Sequence, residues 1–239
     1  MKFIDLLTGK SSTLAHDNTA SEDAKASPTV HNLIILDASG SMELIYGQAL
    51  NGLNETLQTI RHAVIEKPEL KQQITVLSFS SQQFNEIYRN SPAASTLDIT
   101  RNEYVVSGCT PLYDAIGKGI GIIDTVKNAG DSVLVTIITD GEENSSTDFT
   151  GRSIKALIEA KRGSGWVFSY IGANQDLEKV AEELSINHTL AFTADEESTR
   201  AMFEHQNNSR RNFYSRVCNL ASHADSLESA QASDDDFSF

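Results

Sequence analysis

Three oxygen-bearing side chains stand at alternate positions of one short segment, as Asp37, Ser39 and Ser41. The segment directly follows the apolar run 33–36, which is typical of a strand buried on both faces of a sheet. Gly40 allows the backbone to bend tightly, so that the two hydroxyls can converge. Carboxylate and hydroxyl oxygens are hard ligands that suit Mg²⁺, Mn²⁺ or Ca²⁺ rather than zinc. The segment therefore predicts part of a divalent-cation site.

Two further oxygen ligands come from distant parts of the chain. Thr110 precedes Pro111 after a long polar loop, and this pair predicts the start of a helix, with the threonine as its N-cap. Asp140 follows the apolar run 133–138, a second predicted buried strand. In a doubly wound sheet, ligands bind at the carboxyl ends of the strands. The predicted metal site consists of Asp37, Ser39, Ser41, Thr110 and Asp140.

The elements that must position these residues form an alternating pattern of strands and helices between residues 30 and 217. Doubly buried strands that alternate with amphipathic helices favour an α/β fold, with a doubly wound, mostly parallel central sheet and helices on both faces. The run 84–88 is a short strand expected at the sheet edge. The predicted strands cover 33–36, 74–79, 84–88, 133–138, 166–171 and 190–192. The predicted helices cover 49–64, 110–126, 153–161, 177–184 and 196–217.

Composition divides the chain into three regions. Residues 1–28 form an N-terminal arm and linker, residues 29–218 form the domain, and residues 219–239 form an acidic tail that is expected to be disordered. The tail ends in Asp-Asp-Asp-Phe-Ser-Phe. This ending resembles the acidic, phenylalanine-terminated tip of bacterial single-stranded-DNA-binding proteins, which recruits partners. A plain solubilising tail and a docking motif both remain open at this point.

Charge and cysteine content limit the possible partners and location. The chain carries 33 acidic against 19 basic residues, a net charge of -14, which disfavours direct binding to nucleic acids or anionic membranes. Its two cysteines, Cys109 and Cys218, lie far apart and do not form a disulfide framework. No apolar run is long enough to span a membrane, and the N-terminus does not have the pattern of a secretory signal. We therefore expect a soluble, cytoplasmic protein.

The chain resembles the von Willebrand factor A family between about Val30 and Val217. The Asp-x-Ser-x-Ser segment, the threonine and the second aspartate of that family occur here in order. The resemblance implies a metal-ion-dependent adhesion site, in which the two serines bind the cation through their hydroxyls. Thr110 would bind directly or through water, and the two aspartates would act mainly through bound waters. One coordination position would stay open for an Asp or Glu carboxylate of a partner protein.

Two further segments suggest a particular branch of the family. Residues 172–176 (Gly-Ala-Asn-Gln-Asp) and 140–144 (Asp-Gly-Glu-Glu-Asn) resemble the cytoplasmic bacterial and phage branch, which includes tellurium-resistance-type members. The function implied is a non-enzymatic, divalent-metal-dependent protein-binding module, serving as a scaffold or adaptor in a bacterial cell. An accessory subunit whose tail recruits a partner is a further hypothesis.

Several alternatives compete for the same residues. Asp37 and the serines could simply cap an ordinary strand-to-helix turn. An EF-hand is excluded, because Met42 and Gln48 stand where that loop needs Gly and Glu. A dehalogenase-type phosphatase would need a carboxylate at the position of Ser39. A metal-dependent hydrolase acting on a phosphoester is the alternative function, and Glu142 is its only candidate general base.

Residues outside the metal site receive structural interpretations. Asp114 either caps its helix or supports the metal-binding loop. Cys109 is interpreted as a packed small side chain. Residues 142–144 are expected to form a solvated loop that could influence the choice of partner. The basic pair Arg210 and Arg211 is interpreted as part of a solvated helix face.

Overall fold

The fold is seen in a computed structural model that describes residues 27–173, 176–192, 195–224, 232–234 and 237. Its centre is a sheet with the strand order β3-β2-β1-β4-β5-β6. Only β3 runs antiparallel to its neighbour, at one edge of the sheet. The strands are β1 (Thr29–Asp37), β2 (Lys71–Phe79), β3 (Phe84–Pro92), β4 (Ser132–Thr139), β5 (Trp166–Ala173) and β6 (His188–Phe192).

Helices cover both faces of the sheet. Ile34 and Leu36 of β1 point to one cluster of buried side chains, whereas Leu33 and Ile35 point to the other. Because successive side chains of a strand alternate between faces, this apolar run must be covered on both sides. The first face packs against α1 (Tyr46–Glu66) and α5 (Glu196–His223). The second packs against α2 (Leu112–Val126), α3 (Gly151–Arg162) and α4 (Leu177–Leu184). The predicted doubly wound, mostly parallel α/β fold is confirmed.

The strand order reverses at β1, in the middle of the sheet: the chain adds β2 and β3 on one side and then crosses over to β4 on the other. β1 pairs with β2 on one side and with β4 on the other, and both pairings are parallel. Leu36 lies opposite Ile138, so Asp37 and Thr139 end neighbouring strands. The switch in strand order therefore creates a crevice between the carboxyl ends of β1 and β4, the place where open α/β sheets bind ligands.

The ends of two helices differ from the sequence prediction. α2 begins at Leu112, with Pro111 at its cap position and no side-chain cap hydrogen bond. The expectation that Thr110 caps this helix is wrong, because its side chain faces the loops at the end of the sheet. α5 runs on to His223 rather than ending near Val217. The N-terminal residues 1–26 lie outside the described residues.

The tail was expected to be disordered from residue 219, but its described residues pack against the domain. Ala232 and Phe237 are fully buried and belong to the apolar cluster of α1 and α5. Composition alone did not indicate this, because a single aromatic side chain in an acidic segment is enough to anchor it where a matching apolar cleft exists.

Arg210 lies in the interior, so its interpretation as part of a solvated face is wrong. The side chain is 0% exposed and donates from Nη1 to Asn32 Oδ1 at 2.9 Å and from Nη2 to Thr136 Oγ1 at 2.7 Å. Phe213, Tyr214 and Val217 follow it at helical spacing on the buried face of α5. Its neighbour Arg211 is exposed, as expected.

Candidate metal centre

The carboxylate of Asp37 organises the turn after β1. Asp37 is fully buried, and its Oδ1 accepts the backbone N–H of Ser39 at 2.7 Å. The chain then enters a 3-10 turn, Gly40–Ile45. This bend places Ser39 Oγ 3.1 Å from Ser41 Oγ. The predicted convergence of the two hydroxyls is therefore present in the structure.

Thr110 comes from the loop before α2 and is held by the loop after β4. Its backbone N–H donates to Asn144 Oδ1 at 2.9 Å, and the Asn144 N–H donates to the Thr110 carbonyl at 3.1 Å. The turn after β1 joins the same assembly, because the Gly40 N–H donates to the Gly108 carbonyl at 3.0 Å. Three loops at the carboxyl ends of the strands thus hold one another in place.

Asp140 follows β4 directly and meets the serine turn. Ser41 Oγ donates to Asp140 Oδ1 at 2.7 Å, although the two residues are 99 positions apart in sequence. Asp140 is 9% exposed, so its carboxylate lies at the floor of the crevice with limited access to solvent.

Gly141 marks the point on which the oxygens converge. A Cβ atom at this position would lie 2.9 Å from Thr110 Oγ1, 3.4 Å from Ser41 Oγ and 3.6 Å from Asp37 Oδ2. Oxygens from two separate loops therefore surround a small space beside Gly141, which belongs to a third loop, and the absence of a side chain on Gly141 leaves this space open. Direct hydrogen bonds add Ser39 and Asp140 to this cluster. All five residues of the predicted site come together in the structure.

The composition of the cluster decides which ion it could hold. Across the part of the chain that the structure describes, no three His, Cys, Asp or Glu side chains are grouped so that they could hold a metal ion. The oxygen cluster instead combines two carboxylates with three hydroxyls. Such ligands fit a hard cation such as Mg²⁺, Mn²⁺ or Ca²⁺.

Burial makes both carboxylates of the cluster costly to ionise. Burial raises the pKa of Asp37 to about 6, although hydrogen bonds from Thr139 and Ser39 partly oppose the shift. Burial also raises the pKa of Asp140, against the hydrogen bond from Ser41. The charge of Asp140 adds to the shift at Asp37. A bound cation is the kind of charge that would offset the cost of holding both carboxylates ionised.

Two supporting residues were missed by sequence reasoning. Thr139 Oγ1 donates to Asp37 Oδ2 at 2.6 Å, so this carboxylate is held at both oxygens. The buried hydroxyl of Tyr104 donates to the backbone carbonyl of Asp37 at 2.8 Å. Thr139 could have been found, because a polar residue that ends an apolar strand beside Asp140 is a candidate for such a role. Tyr104 lies in a polar loop and carried no comparable signal.

Asp114 and Glu143 hold the loop that carries Asp140. The Asp114 carboxylate accepts the backbone N–H groups of Thr147, Asp148 and Phe149, each at 2.9 Å. Burial raises the pKa of Asp114, but the hydrogen bonds from these three donors outweigh it and hold the pKa below its usual value. Of the two interpretations of Asp114, the structure supports the one in which it stabilises the loop.

The prediction of a solvated loop at 142–144 is wrong for Glu143. Its carboxylate accepts the N–H of Tyr113 in the first turn of α2 and the N–H of Ser145 and Ser146, all within 2.9 Å. Glu143 thus satisfies a free donor at the start of the helix while it shapes the loop. Glu142 is exposed, as expected.

Cys109 is exposed beside Thr110, and its interpretation as a packed side chain is wrong. Cys218 is only partly exposed, and burial together with Glu69 raises its pKa to about 11. We therefore expect a thiol reagent at pH 8 to modify Cys109 at least about tenfold faster than Cys218, because the thiolate is the reactive form. Mass spectrometry of the modified peptides measures the two rates. Equal rates would contradict this assignment.

The fold and the site together define an α/β domain with an oxygen-lined crevice at the switch point of its sheet. Residues 33–213 match the model of the von Willebrand factor type A domain. The chain therefore belongs to the von Willebrand factor type A domain family. No curated protein is significantly similar to it in sequence.

Solved structures with the same fold include surface proteins of bacteria. The pilus adhesin SpaC from Lactobacillus rhamnosus GG is 14% identical, with a TM-score of 0.57 over 76% of this chain and 30% of that chain. The von Willebrand factor domain of the pilus tip protein Mfa5 from Porphyromonas gingivalis is 11% identical, with a TM-score of 0.59 over 79% of this chain and 96% of that one. A von Willebrand factor type A protein from Catenulispora acidiphila is 17% identical, with a TM-score of 0.51 over 77% and 43%.

These likenesses show the fold and leave the branch of the family open. The chain spans less than half of the SpaC and Catenulispora chains. None of the matches supports the tellurium-resistance-like branch that segment 172–176 suggested, and Asn174 and Gln175 of that segment lie outside the described residues. Across the described helices, none is long and apolar enough to cross a membrane.

Proposed function

We propose that this chain is a divalent-metal-dependent protein-binding module that binds an Asp or Glu carboxylate of a partner protein. Proteins of this family are interaction modules, often metal-dependent. The observation that carries the proposal for this chain is the convergence of hydroxyl and carboxylate oxygens from three loops on the space beside Gly141. Mg²⁺ is the proposed ion, with Mn²⁺ or Ca²⁺ as possible replacements.

Each site residue has a distinct part in this proposal. Ser39, Ser41 and Thr110 would offer neutral oxygens to the cation. Asp37 and Asp140 would balance the charge of the cation. Asp37 also holds the turn by accepting the Ser39 backbone N–H, and Asp140 orients the Ser41 hydroxyl, which donates to it. A bound cation would supply a positive centre with an open coordination position for a carboxylate.

The surface around the site favours a protein as the partner. Leu44, in the turn that carries Ser41, is 83% exposed, and Val105, next to Tyr104, is 52% exposed. The Arg101 guanidinium lies 5.5 Å above the ring centre of Tyr46, in the same neighbourhood. Exposed apolar side chains with an arginine beside them are typical of protein interfaces. An acidic residue flanked by apolar ones would fit this face.

Hydrolysis of a phosphoester is the second candidate function, and the geometry favours it less. A hydrolase needs a general base or a second metal-binding carboxylate beside the cation. Glu143 is engaged by the start of α2 and by its own loop, and Glu142 is exposed. We therefore propose a non-enzymatic role.

The proposal places the protein in the cytoplasm, with no direct contact to nucleic acid or membrane. The exposed, unpaired thiol of Cys109 supports a reducing compartment. The net charge of -14 opposes binding to phosphate-rich surfaces. Fractionation of the native cell tests the location: recovery of the chain on the cell surface would contradict it.

Gly141→Ala should disturb the site without removing any of the proposed ligand side chains. The added methyl would stand 2.9 Å from Thr110 Oγ1, inside the space on which the oxygens converge. We expect the affinity for Mg²⁺ to fall by about tenfold or more, since a small displacement of ligands is costly for a cation with strict geometry. Isothermal titration measures the change. Gly121→Ala is the matched control, because nothing lies within 4 Å of its Cβ position. Unaltered Mg²⁺ binding by Gly141→Ala would place the ion elsewhere.

Capture of partners from the native cell tests the function itself. The full chain is used as bait in Mg²⁺ and in EDTA, beside Gly141→Ala and Gly121→Ala baits. The proposal expects the same proteins with wild type and Gly121→Ala in Mg²⁺, and their loss in EDTA or with Gly141→Ala. Free acetate at high concentration should compete with them. Partners retained equally in EDTA would refute a metal-dependent module.

A further inference from the structure

The described part of the tail places an acidic side chain against a basic corner of the domain. Asp234 Oδ2 accepts from Arg162 Nη2 at 2.6 Å and from Asn187 Nδ2 at 2.9 Å. Asp234 Oδ1 lies 3.1 Å from His188 Nε2. Burial raises the pKa of Asp234, but His188 and Arg162 outweigh it and hold the pKa below its usual value. Both carboxylate oxygens are therefore matched by donors from α3 and from the start of β6.

An aromatic anchor lies three positions further along the tail. Phe237 is 1% exposed, and its ring meets the His188 ring edge-on at 5.1 Å and the Phe213 ring at 6.2 Å. His188 thus contacts both the acidic and the aromatic anchor. Both anchors contact one cleft of the domain, and we define this cleft by the residues Arg162, Asn187, His188 and Phe213.

The cleft is built from the domain. Arg162 Nη1 also donates to the Ser185 carbonyl at 2.7 Å, which ties the end of α3 to the end of α4. Phe213 packs in the apolar cluster beneath α5. The cleft presents basic donors in a chain whose net charge is -14, so an acidic segment is the complementary occupant.

We infer that this cleft is a recognition site for an acidic segment with the spacing Asp-x-x-Phe, and that Asp234 and Phe237 of this chain occupy it in cis. The site lies near the amino ends of the strands, whereas the oxygen cluster lies at their carboxyl ends, so the two surfaces are separate. A partner protein with such a segment would have to displace the tail. The tail follows closely after the end of α5 in sequence, so its effective concentration at the cleft is high. Binding of the chain's own tail is therefore favoured over binding of the tail of a second copy.

Hydrogen exchange of the full chain tests occupation in cis. Peptides that cover 232–239 should exchange at least about tenfold more slowly than the same segment as a free peptide, because docking protects its amides. Arg162→Ala should remove most of this protection. Lys155→Ala is the matched control, a basic residue on the same helix that contacts the Glu182 carbonyl instead. Exchange at the free-peptide rate in wild type, or protection that is lost on dilution as a dimer dissociates, would overturn the inference.

A peptide added in trans tests recognition. A labelled peptide of residues 232–239 should bind the double variant Asp234→Ala, Phe237→Ala at least about tenfold more tightly than wild type, whose own tail competes at high effective concentration. Circular dichroism shows whether the double variant is folded. If it is not, an excess of the unlabelled peptide should instead speed exchange of the wild-type tail. A peptide with alanine in place of Phe237 is the control. Equal binding of the labelled peptide by wild type and the double variant would overturn the proposal that the cleft recognises this segment. No effect of excess peptide on exchange of the wild-type tail would also overturn it.

Discussion

Asp140→Ala and Ser39→Ala are each expected to abolish Mg²⁺-dependent partner binding while the domain stays folded. Ser41 Oγ donates to Asp140 Oδ1, and Ser39 Oγ lies 3.1 Å from Ser41 Oγ, so either change removes an oxygen and leaves the next one without its orientation. Loss of a group that orients a ligand costs about 10- to 100-fold in metal affinity. Titration with Mg²⁺ gives the affinity, and a thermal melt in EDTA gives the stability of the fold.

Asp124→Ala is the control for this pair of variants. Asp124 forms a surface ion pair with Lys161, on the helices α2 and α3, and makes no contact with the oxygen cluster. The Asp124→Ala substitution changes the net charge by the same amount as Asp140→Ala. This control therefore separates a loss of the site from a general loss of negative charge. If Asp124→Ala and Asp140→Ala lower Mg²⁺ affinity equally, the predicted ligands have no special role.

Arg210→Ala is expected to lower the free energy of unfolding by about 2–5 kcal/mol, since truncating a large buried side chain leaves a cavity. Arg210 is 0% exposed and joins α5 to β1 and β4 through Asn32 and Thr136. Its removal also takes donors from both of these buried oxygens. Urea denaturation measures the change. Arg211→Ala, on the exposed side of the same helix, should change stability by less than about 0.5 kcal/mol.

A second substitution separates the volume of Arg210 from its charge. Its three described partners, Asn32, Thr136 and Tyr214, are all neutral. Arg210→Met keeps much of the volume and removes a buried charge, and such replacements are often close to neutral. We expect Arg210→Met to be clearly more stable than Arg210→Ala. Equal losses for the two variants would mean that hydrogen bonding, not packing, explains the role of Arg210.

The convergence of the oxygen cluster could be predicted because its residues lie where strands end. Asp37 and Asp140 each follow an apolar run, and the carboxyl ends of adjacent parallel strands lie side by side. Thr110 does lie in the oxygen cluster, but the expectation that it also caps α2 was wrong, since the same residue type serves both purposes. The pairing of particular aspartate oxygens with particular hydroxyls depends on the paths of the loops. The hydrophobic periodicity of the sequence does not predict these paths.

The charged residues that sequence reasoning misplaced acquire their roles from distant contacts. Glu143 accepts a hydrogen bond from the backbone N–H of Tyr113 at the start of α2, and the two residues are 30 positions apart in sequence. Arg210 donates a hydrogen bond to Asn32, which is 178 positions away in sequence, and Asp234 accepts one from Arg162, which is 72 positions away. A charged side chain is expected at the surface unless a partner buries with it. Sequence patterns do not show that partner, so these residues were predicted to be solvated.

A crystal of the full chain grown in Mn²⁺ gives the most direct measurement of the central claim. Anomalous scattering at the manganese edge identifies the ion without reference to the ligands. We expect one strong peak in the crevice beside Gly141, within bonding distance of the hydroxyls of Ser39 and Ser41, and a clearly weaker peak there in Gly141→Ala at the same Mn²⁺ concentration. A wild-type crystal with saturating Mn²⁺ and no anomalous peak between these three loops would contradict the account.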